Sequence, residues 1–305
     1  MWAATTASTT ALLVCATSPS APVLGLGLLV GGLGNAIGQP AGNALVAAHV
    51  RPERYGLGFA IKQSGIPLAT TLGGLAVPLI ALTLGWRYAY MLAALAAVSA
   101  VLLVPRDRPA TAARSERRVP TELTGRLWVL DVGMVAAVIA ATSIGALGAA
   151  GGVQAGLSEA TAGYLVAAGG LAGLSVRLAA GVSADRWDFD ALNGVSILCV
   201  LGAVGWLLMA AGPQPLFIVG LVVANAFGWG WPGLQHLSVA RRFPTSTAAA
   251  SGVAQTGVSA GLLIGPLTLG VIAGIDWSLM WLVAGICALV GAAVVRVAAS
   301  LIPRG

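Results

Sequence analysis

The sequence predicts an all-α membrane protein, a polytopic bundle of about ten helical spans, on three observations. Of 305 residues, 58% are hydrophobic and 9% are charged, where a soluble domain carries about 25% charged residues. The mean hydropathy is +0.91, and a water-soluble globule of this size has no interior large enough for so much apolar surface. Apolar stretches long enough to span a bilayer, roughly 20 residues each, recur along the whole chain.

The spans follow in order, most of them bounded by turn or charge signals. The first, 2–17, lacks a basic leader and is diluted by Thr5, Thr6, Ser8, Thr9 and Thr10, so it reads as a span and not a secretory signal. Thr17-Ser18-Pro19-Ser20 ends it. The second covers 23–47 and stops at Arg51-Pro52-Glu53-Arg54. The third and fourth, 57–82 and 86–104, meet at Gly85-Trp86-Arg87. The fifth and sixth, 127–150 and 159–180, flank Gly151-Gly152. Ser183-Ala184-Asp185-Arg186 precedes the seventh, 191–211, and Gly212-Pro213-Gln214-Pro215 the eighth, 215–239. Arg241-Arg242-Phe243-Pro244 leads into the ninth, 248–273, and Gly274-Ile275-Asp276-Trp277 into the tenth, 278–300. The one long polar connection divides the chain into a four-span unit, 1–105, a loop, 106–126, and a six-span unit, 127–305.

The formal charge of +6 and the pI near 9.9 do not indicate nucleic acid, because the arginines stand between apolar segments and not on one basic face. They report topology. Counted over alternate loops, 14 arginines fall on one side: Arg51, Arg54, Arg106, Arg108, Arg114, Arg117, Arg118, Arg126, Arg177, Arg186, Arg241, Arg242, Arg296 and Arg304. Arg87 stands alone on the other. The positive-inside rule then places both termini and the central loop in the cytoplasm, and the plasma (inner) membrane is the expected address. Cys15, Cys199 and Cys287 lie within apolar segments and form no C-x-x-C pair, so they read as small packing residues. No cofactor or metal motif is present in the sequence.

The two units echo each other. Lys62-Gln63-Ser64-Gly65 with Gly85-Trp86 at the far end of its span parallels Ala254-Gln255-Thr256-Gly257 with Asp276-Trp277. Asn35-Ala36-Ile37-Gly38 parallels Asn225-Ala226-Phe227-Gly228. Gln63 and Gln255 are 192 residues apart, and Asn35 and Asn225 are 190 apart. Such a repeat marks transporter-like architecture. At this offset the partner of the fifth span would begin about 65 residues ahead of Met1, so the expectation is a six-plus-six pseudo-repeat with two spans missing from the front.

Arg177-Leu178-Ala179-Ala180-Gly181-Val182-Ser183-Ala184-Asp185-Arg186 resembles the R-x-x-x-G-x-x-[AS]-D-R signature of the major facilitator superfamily, and it falls in the matching loop of the second unit. Arg54-Tyr55-Gly56 and Gly85-Trp86-Arg87-Tyr88-Ala89-Tyr90 are similar to the family's R-x-G start of helix five and its G-W-R-W-x-F start of helix six. The family's helix-four arginine would fall near Leu28 and is absent. The resemblance covers the chain as family helices three to twelve. It implies a secondary active transporter of a small solute by alternating access, and a monomer in the lipid bilayer. The residues themselves leave a truncated, non-transporting remnant as the alternative. A membrane-embedded enzyme finds no support: there are two histidines, His49 and His236, both near loops, and no HExxH.

Polar groups within a bilayer face protein or a water-filled cavity. Asn35, Gln39 and Asn43 recur every four residues and share one helix face. Lys62, Gln63, Asn225, Trp229 and Gln255 join them as residues expected to line a central substrate cavity, with Gln235, Thr256 and Ser259 nearby. The other reading of the amides is interhelical hydrogen bonding, worth under ~1 kcal/mol per bond. Lys62 either meets a polar or anionic solute or snorkels to the interface. His236 shares a face with Asn225 and Trp229 and either lines the cavity with them or, near Arg241, packs at the interface. Asp131 either pairs with Arg126 or carries a coupling proton. Arg177, Gly181, Asp185 and Arg186 read as a gating latch or a static loop brace. Pro67, Pro78, Pro232 and Pro266 are expected to kink their spans. Gly257, Gly261 and Gly265 are expected to allow close helix contact.

Overall fold

The computed structural model describes residues 2–103 and 121–303, and every regular element among them is helical. The helices are α1 (Trp2–Thr17), α2 (Ala21–His49), α3 (Tyr55–Gln63), α4 (Gly65–Ala76), α5 (Trp86–Leu103), α6 (Thr121–Gln154), α7 (Glu159–Arg186), α8 (Ala191–Ala210), α9 (Gln214–Gly228), α10 (Pro232–Arg242), α11 (Thr247–Ala273) and α12 (Trp277–Leu301). Together α3 and α4 make one column, closed by a π turn over Val77–Ala81, and α9 and α10 make another. The twelve helices therefore stand as ten columns. Eight columns are long and apolar enough to cross a membrane. The ten are completed by α1, of 16 residues, and α5, of 18.

The helices outrun their apolar cores at the arginine-bearing end. Residues 121–126 were expected in the central loop but form the first turns of α6. Charge marks where a helix leaves the bilayer, not where it stops. Arg106, Arg108, Arg114, Arg117 and Arg118 lie outside the described residues. Side chains start several helices: Ser158 accepts from Thr161 N (3.1 Å) at α7, Asp190 from Leu192 N (2.9 Å) at α8, and Asp276 from Leu279 N (2.6 Å) at α12. The turn into α5 needs a left-handed residue, and Gly85 supplies it at φ 103°.

Two of the expected kinks are full breaks. Pro67 has no N–H for the carbonyl four residues back, which is that of Gln63, and α3 ends there. Pro232 likewise orphans the carbonyl of Gly228, where α9 ends; the Trp231 indole N–H donates to that oxygen at 2.7 Å. Pro78 sits in the π turn, whereas α11 runs through Pro266 and α2 through Pro40.

The repeat has a spatial counterpart. Helices α1, α2, α3 and α5 start at 2, 21, 55 and 86, while α8, α9, α11 and α12 start at 191, 214, 247 and 277, a displacement of about 190 throughout. Helix α1 packs on α2 and α5 as α8 packs on α9 and α12. One seam joins the two sets over the full membrane depth, where α3 and α4 run antiparallel along α7. A Cβ at Gly181 would stand 2.6 Å from the Gly56 carbonyl, one at Gly170 2.9 Å from that of Pro67, and one at Gly163 2.7 Å from that of Gly74. The seam therefore admits only backbone at these crossings. Elsewhere Gly257 and Gly261 of α11 lie against α6: a Cβ at Gly261 would meet Val138 at 2.6 Å.

Candidate functional site

A cavity of about 170 Å³ opens between α2, the α3–α4 break, the α9–α10 break and α11. Asn35 and Gln39 of α2 line it with Gln63 and Ile66. Across from them stand Trp229, Trp231, Pro232, Gln235 and His236, with Gln255, Val258 and Leu262 of α11 closing the side. Both breaks thus abut the cavity. Gln63 and Gln255, which occupy echoing positions in the repeat, both line it.

The polar residues are linked in short relays. Lys62 Nζ donates to Gln39 Oε1 and lies 3.5 Å from the Gln39 carbonyl; Gln39 Nε2 donates to Asn35 Oδ1 at 3.2 Å. Asn43 does not line the cavity; its Nδ2 lies 3.2 Å from Nδ1 of His236, which does. The His236 ring stacks on Phe59 with centroids 6.1 Å apart, and Gln235 donates to the Ala254 carbonyl at 3.2 Å. Trp229 and Trp231 stack at 5.8 Å and 24°. Asn225 lies apart from this group. It is buried on the α7 side of α9, where a Cβ at Gly169 would touch its side chain at 2.8 Å.

Arg177 is the least expected member. Nine residues short of the end of α7 and 1% exposed, it donates to the carbonyls of Gln63 and Trp229. These oxygens belong to the two breaks: the first is the one that Pro67 orphans. One guanidinium thus satisfies backbone from both proline-broken columns, which a bilayer interior requires.

The rest of the signature gathers at the arginine-bearing end. Asp185 accepts from the backbone N–H groups of Gly56 (2.7 Å) and Leu57 (2.8 Å), capping α3 from the other side of the seam. Gly181 is the close crossing beside it. Arg186 is exposed at the last position of α7. Arg241 donates to the Ala184 carbonyl at 3.0 Å and stands 4.0 Å from Asp185. A second tie lies nearby: Arg242 bonds Asp190 at 2.6 Å, Ser238 at 3.0 Å and the Ile302 carbonyl.

Asp131 and Arg126 do not pair. Arg126 donates to the Leu301 carbonyl at 2.8 Å. Asp131 is 2% exposed, accepts from Gly257 N at 3.2 Å, and leaves Oδ2 without a partner. It faces α11 away from the cavity. No group of three or more His, Cys, Asp or Glu suited to a metal ion occurs among the described residues.

Sequence reasoning missed Trp231, Pro232, Ile66, Val258 and Leu262 as lining residues, and Gly56 and Leu57 as the partners of Asp185. These five apolar residues carry no signal that separates cavity wall from core. One Arg177 contact did leave a trace, since Pro67 orphans the Gln63 carbonyl, which some buried donor must reach.

The sequence profile of the Major Facilitator Superfamily matches residues 1–250. No curated protein matches the chain in sequence. Among solved structures, the fold is similar to that of the human organic anion transporter MFSD10 (TETRAN), with TM-score 0.66 and 20% identity over 99% of this chain and 76% of that one. It is also similar to a variant of the E. coli fucose:proton symporter FucP, with TM-score 0.66 and 12% identity over 97% of this chain and 82% of that one.

Proposed function

The chain belongs to the Major Facilitator Superfamily, a family of multi-pass membrane transporters and not of enzymes, and from that premise we propose that it is a secondary active transporter that moves one small solute by alternating access. The observation that carries the reading is the cavity itself. It lies where the two echoing sets of helices face each other, it is lined by amides from both, and both helix breaks open onto it. Residues 1–105 and 127–305 would move against each other about the α3–α4/α7 seam, with the arginine-bearing face and both termini in the cytoplasm of a plasma membrane.

The residues divide the work as follows. Asn35, Gln39, Lys62, Gln63, Trp229 and Gln255 bind solute; Asn43 holds His236; Asn225 packs α9 on α7. Arg177, Gly181 and Asp185 hold the arginine-bearing face shut, and Arg186 flanks them at the surface. When Asp185 caps α3, that face is closed, and opening it removes a carboxylate from two N–H donors. A substrate that favours one state shifts that balance. Asp131 is assigned the coupling proton. It is a buried carboxyl with one unpartnered oxygen, and its packing on Gly257 lets a change of protonation bear directly on the α6–α11 contact.

The test is flux in sealed proteoliposomes with a panel of anionic, neutral and cationic solutes, with and without a pH gradient. The expected result is saturable flux of one class, reduced at least tenfold by Gln63→Ala or Gln255→Ala. Asp131→Asn is expected to abolish accumulation driven by the pH gradient and to leave solute exchange in place. Absence of flux across the whole panel would overturn the transporter reading, and gradient-driven accumulation by Asp131→Asn would remove the proton assignment.

A further inference from the structure

Charge around the cavity is unbalanced. Lys62 does not itself line the cavity but stands behind the lining residue Gln39, bonded to its amide oxygen, and Arg177 stands behind the wall, bonded to the carbonyls of the lining residues Gln63 and Trp229. No carboxylate among the described residues answers them. Asp131 meets Gly257, which is two residues and so about 200° of helix away from Gln255. Asp185 is about 12 Å further along α7 at 1.5 Å per residue, with both oxygens committed to α3. Amide and carbonyl oxygens solvate a cation but do not neutralise it, and a buried cation without a counter-charge is costly.

We propose that this cavity binds a small monoanion, a carboxylate carried on a planar apolar body, with Lys62 as its recognition cation. The proposal rests on the transporter reading only in taking this cavity as the solute site. A single negative charge fits because the two Arg177 Nη atoms are already used by carbonyls and its unpartnered Nε is fully buried, whereas Lys62 can exchange a neutral amide oxygen for a carboxylate. That exchange makes a stronger, charge-assisted bond. The planar body follows from Trp229, whose ring lines the wall and is held in place by stacking on Trp231. The side-chain amides of Gln63 and Gln255 have no protein partner among the described residues and line the same cavity, so they are free to orient the bound group. At about 170 Å³ the space is below the roughly 300–1,000 Å³ of drug-sized sites.

The test is equilibrium binding of radiolabelled benzoate to the purified chain in detergent, with benzamide and benzamidine as neutral and cationic competitors of the same shape. Benzoate is expected to bind saturably and to be displaced by unlabelled benzoate far better than by either competitor. Lys62→Gln is expected to weaken it about ten- to a hundredfold, the range for losing a hydrogen bond to a charged group. Lys62→Arg is expected to stay within a few-fold of the parent, which guards against reading a misfolded variant as a lost contact. Equal competition by benzamide, unchanged affinity in Lys62→Gln, or no saturable binding would overturn the proposal. The assay needs no transport, so the two readings fail separately. A chain that binds benzoate but moves no solute keeps the anion site and loses the transporter reading. One that moves only neutral solutes does the reverse.

Discussion

Asp190 shows how one side chain at the membrane edge is held. Burial alone pushes its carboxyl pKa up, but the adjacent Arg242 charge and the N–H groups of Leu192 and Asn193 outweigh burial and hold it below the usual carboxylate range. A carboxyl with a lowered folded-state pKa contributes stability that is fully present above its unfolded value, about 3.9, and is lost as pH falls through the folded value. Asp190→Asn should therefore cost about 1.5–3 kcal/mol at neutral pH, the range for a charged hydrogen bond. Thermal unfolding in detergent should show the full gap at pH 7 and a narrowing gap below about pH 4; a gap that stays constant with pH would remove the ion pair from the account. A second residue-scale expectation concerns Gly181. A Cβ there would meet Ala60 Cβ at 2.5 Å, so Gly181→Ala should part the seam and lower transport even where the protein still folds. Much of the residue scale was not legible in the sequence. The face that Asn225 presents was not, because α9 is apolar nearly all round and the four-residue spacing with Trp229 gives no preference between cavity and α7. Asp185 was legible as part of the Arg177–Arg186 signature, but its partners lie 128 and 129 positions away in sequence.

At the scale of the elements, breaks matter more than lengths. The span limits read from apolar runs agree with the helices to within six residues, the largest differences lying at the start of α6 and the end of α7, because hydrocarbon thickness fixes the apolar length and the helices run on past it. The interruptions inside the columns were legible as prolines but not as breaks, since Pro40 and Pro266 lie in continuous helices while Pro67 and Pro232 do not. What differs is the donor each orphaned carbonyl finds. Arg177 and the Trp231 indole supply donors at the two broken columns. Arg177→Met should then leave two buried carbonyls without a donor, about 1–3 kcal/mol each. Pro67→Ala returns an N–H to the Gln63 carbonyl, so the arginine should matter less in that background. A double-mutant cycle on thermal unfolding should show coupling of about 1 kcal/mol or more. Strict additivity would mean that Arg177 does not act through the carbonyl left by Pro67.

On the scale of the whole molecule, the proposed closure of the arginine-bearing face is a balance and not a weld. What crosses the seam there is one carboxylate on two backbone N–H groups and a glycine crossing, while the Arg241 contact to Asp185, at 4.0 Å, lies within residues 127–305 and does not bridge the two units. Two hydrogen bonds to a charge, about 1.5–3 kcal/mol each, are enough to move a two-state equilibrium at least tenfold. Asp185→Ala should therefore raise the population open on that face. The measurement is labelling of a cysteine placed at Ile66, on the cavity wall, by a membrane-impermeant maleimide, in a background lacking Cys15, Cys199 and Cys287. Labelling from the arginine-bearing side should rise about tenfold, and labelling from the opposite side should fall in step, because the same molecules are redistributed between two states. A rise on both sides would mean that the substitution had merely loosened the bundle, and alternating access about this seam would lose its support. A fall from the opposite side matched to the rise would tie the cap of α3 to the exposure of the cavity, which is what a transporter built on this seam requires.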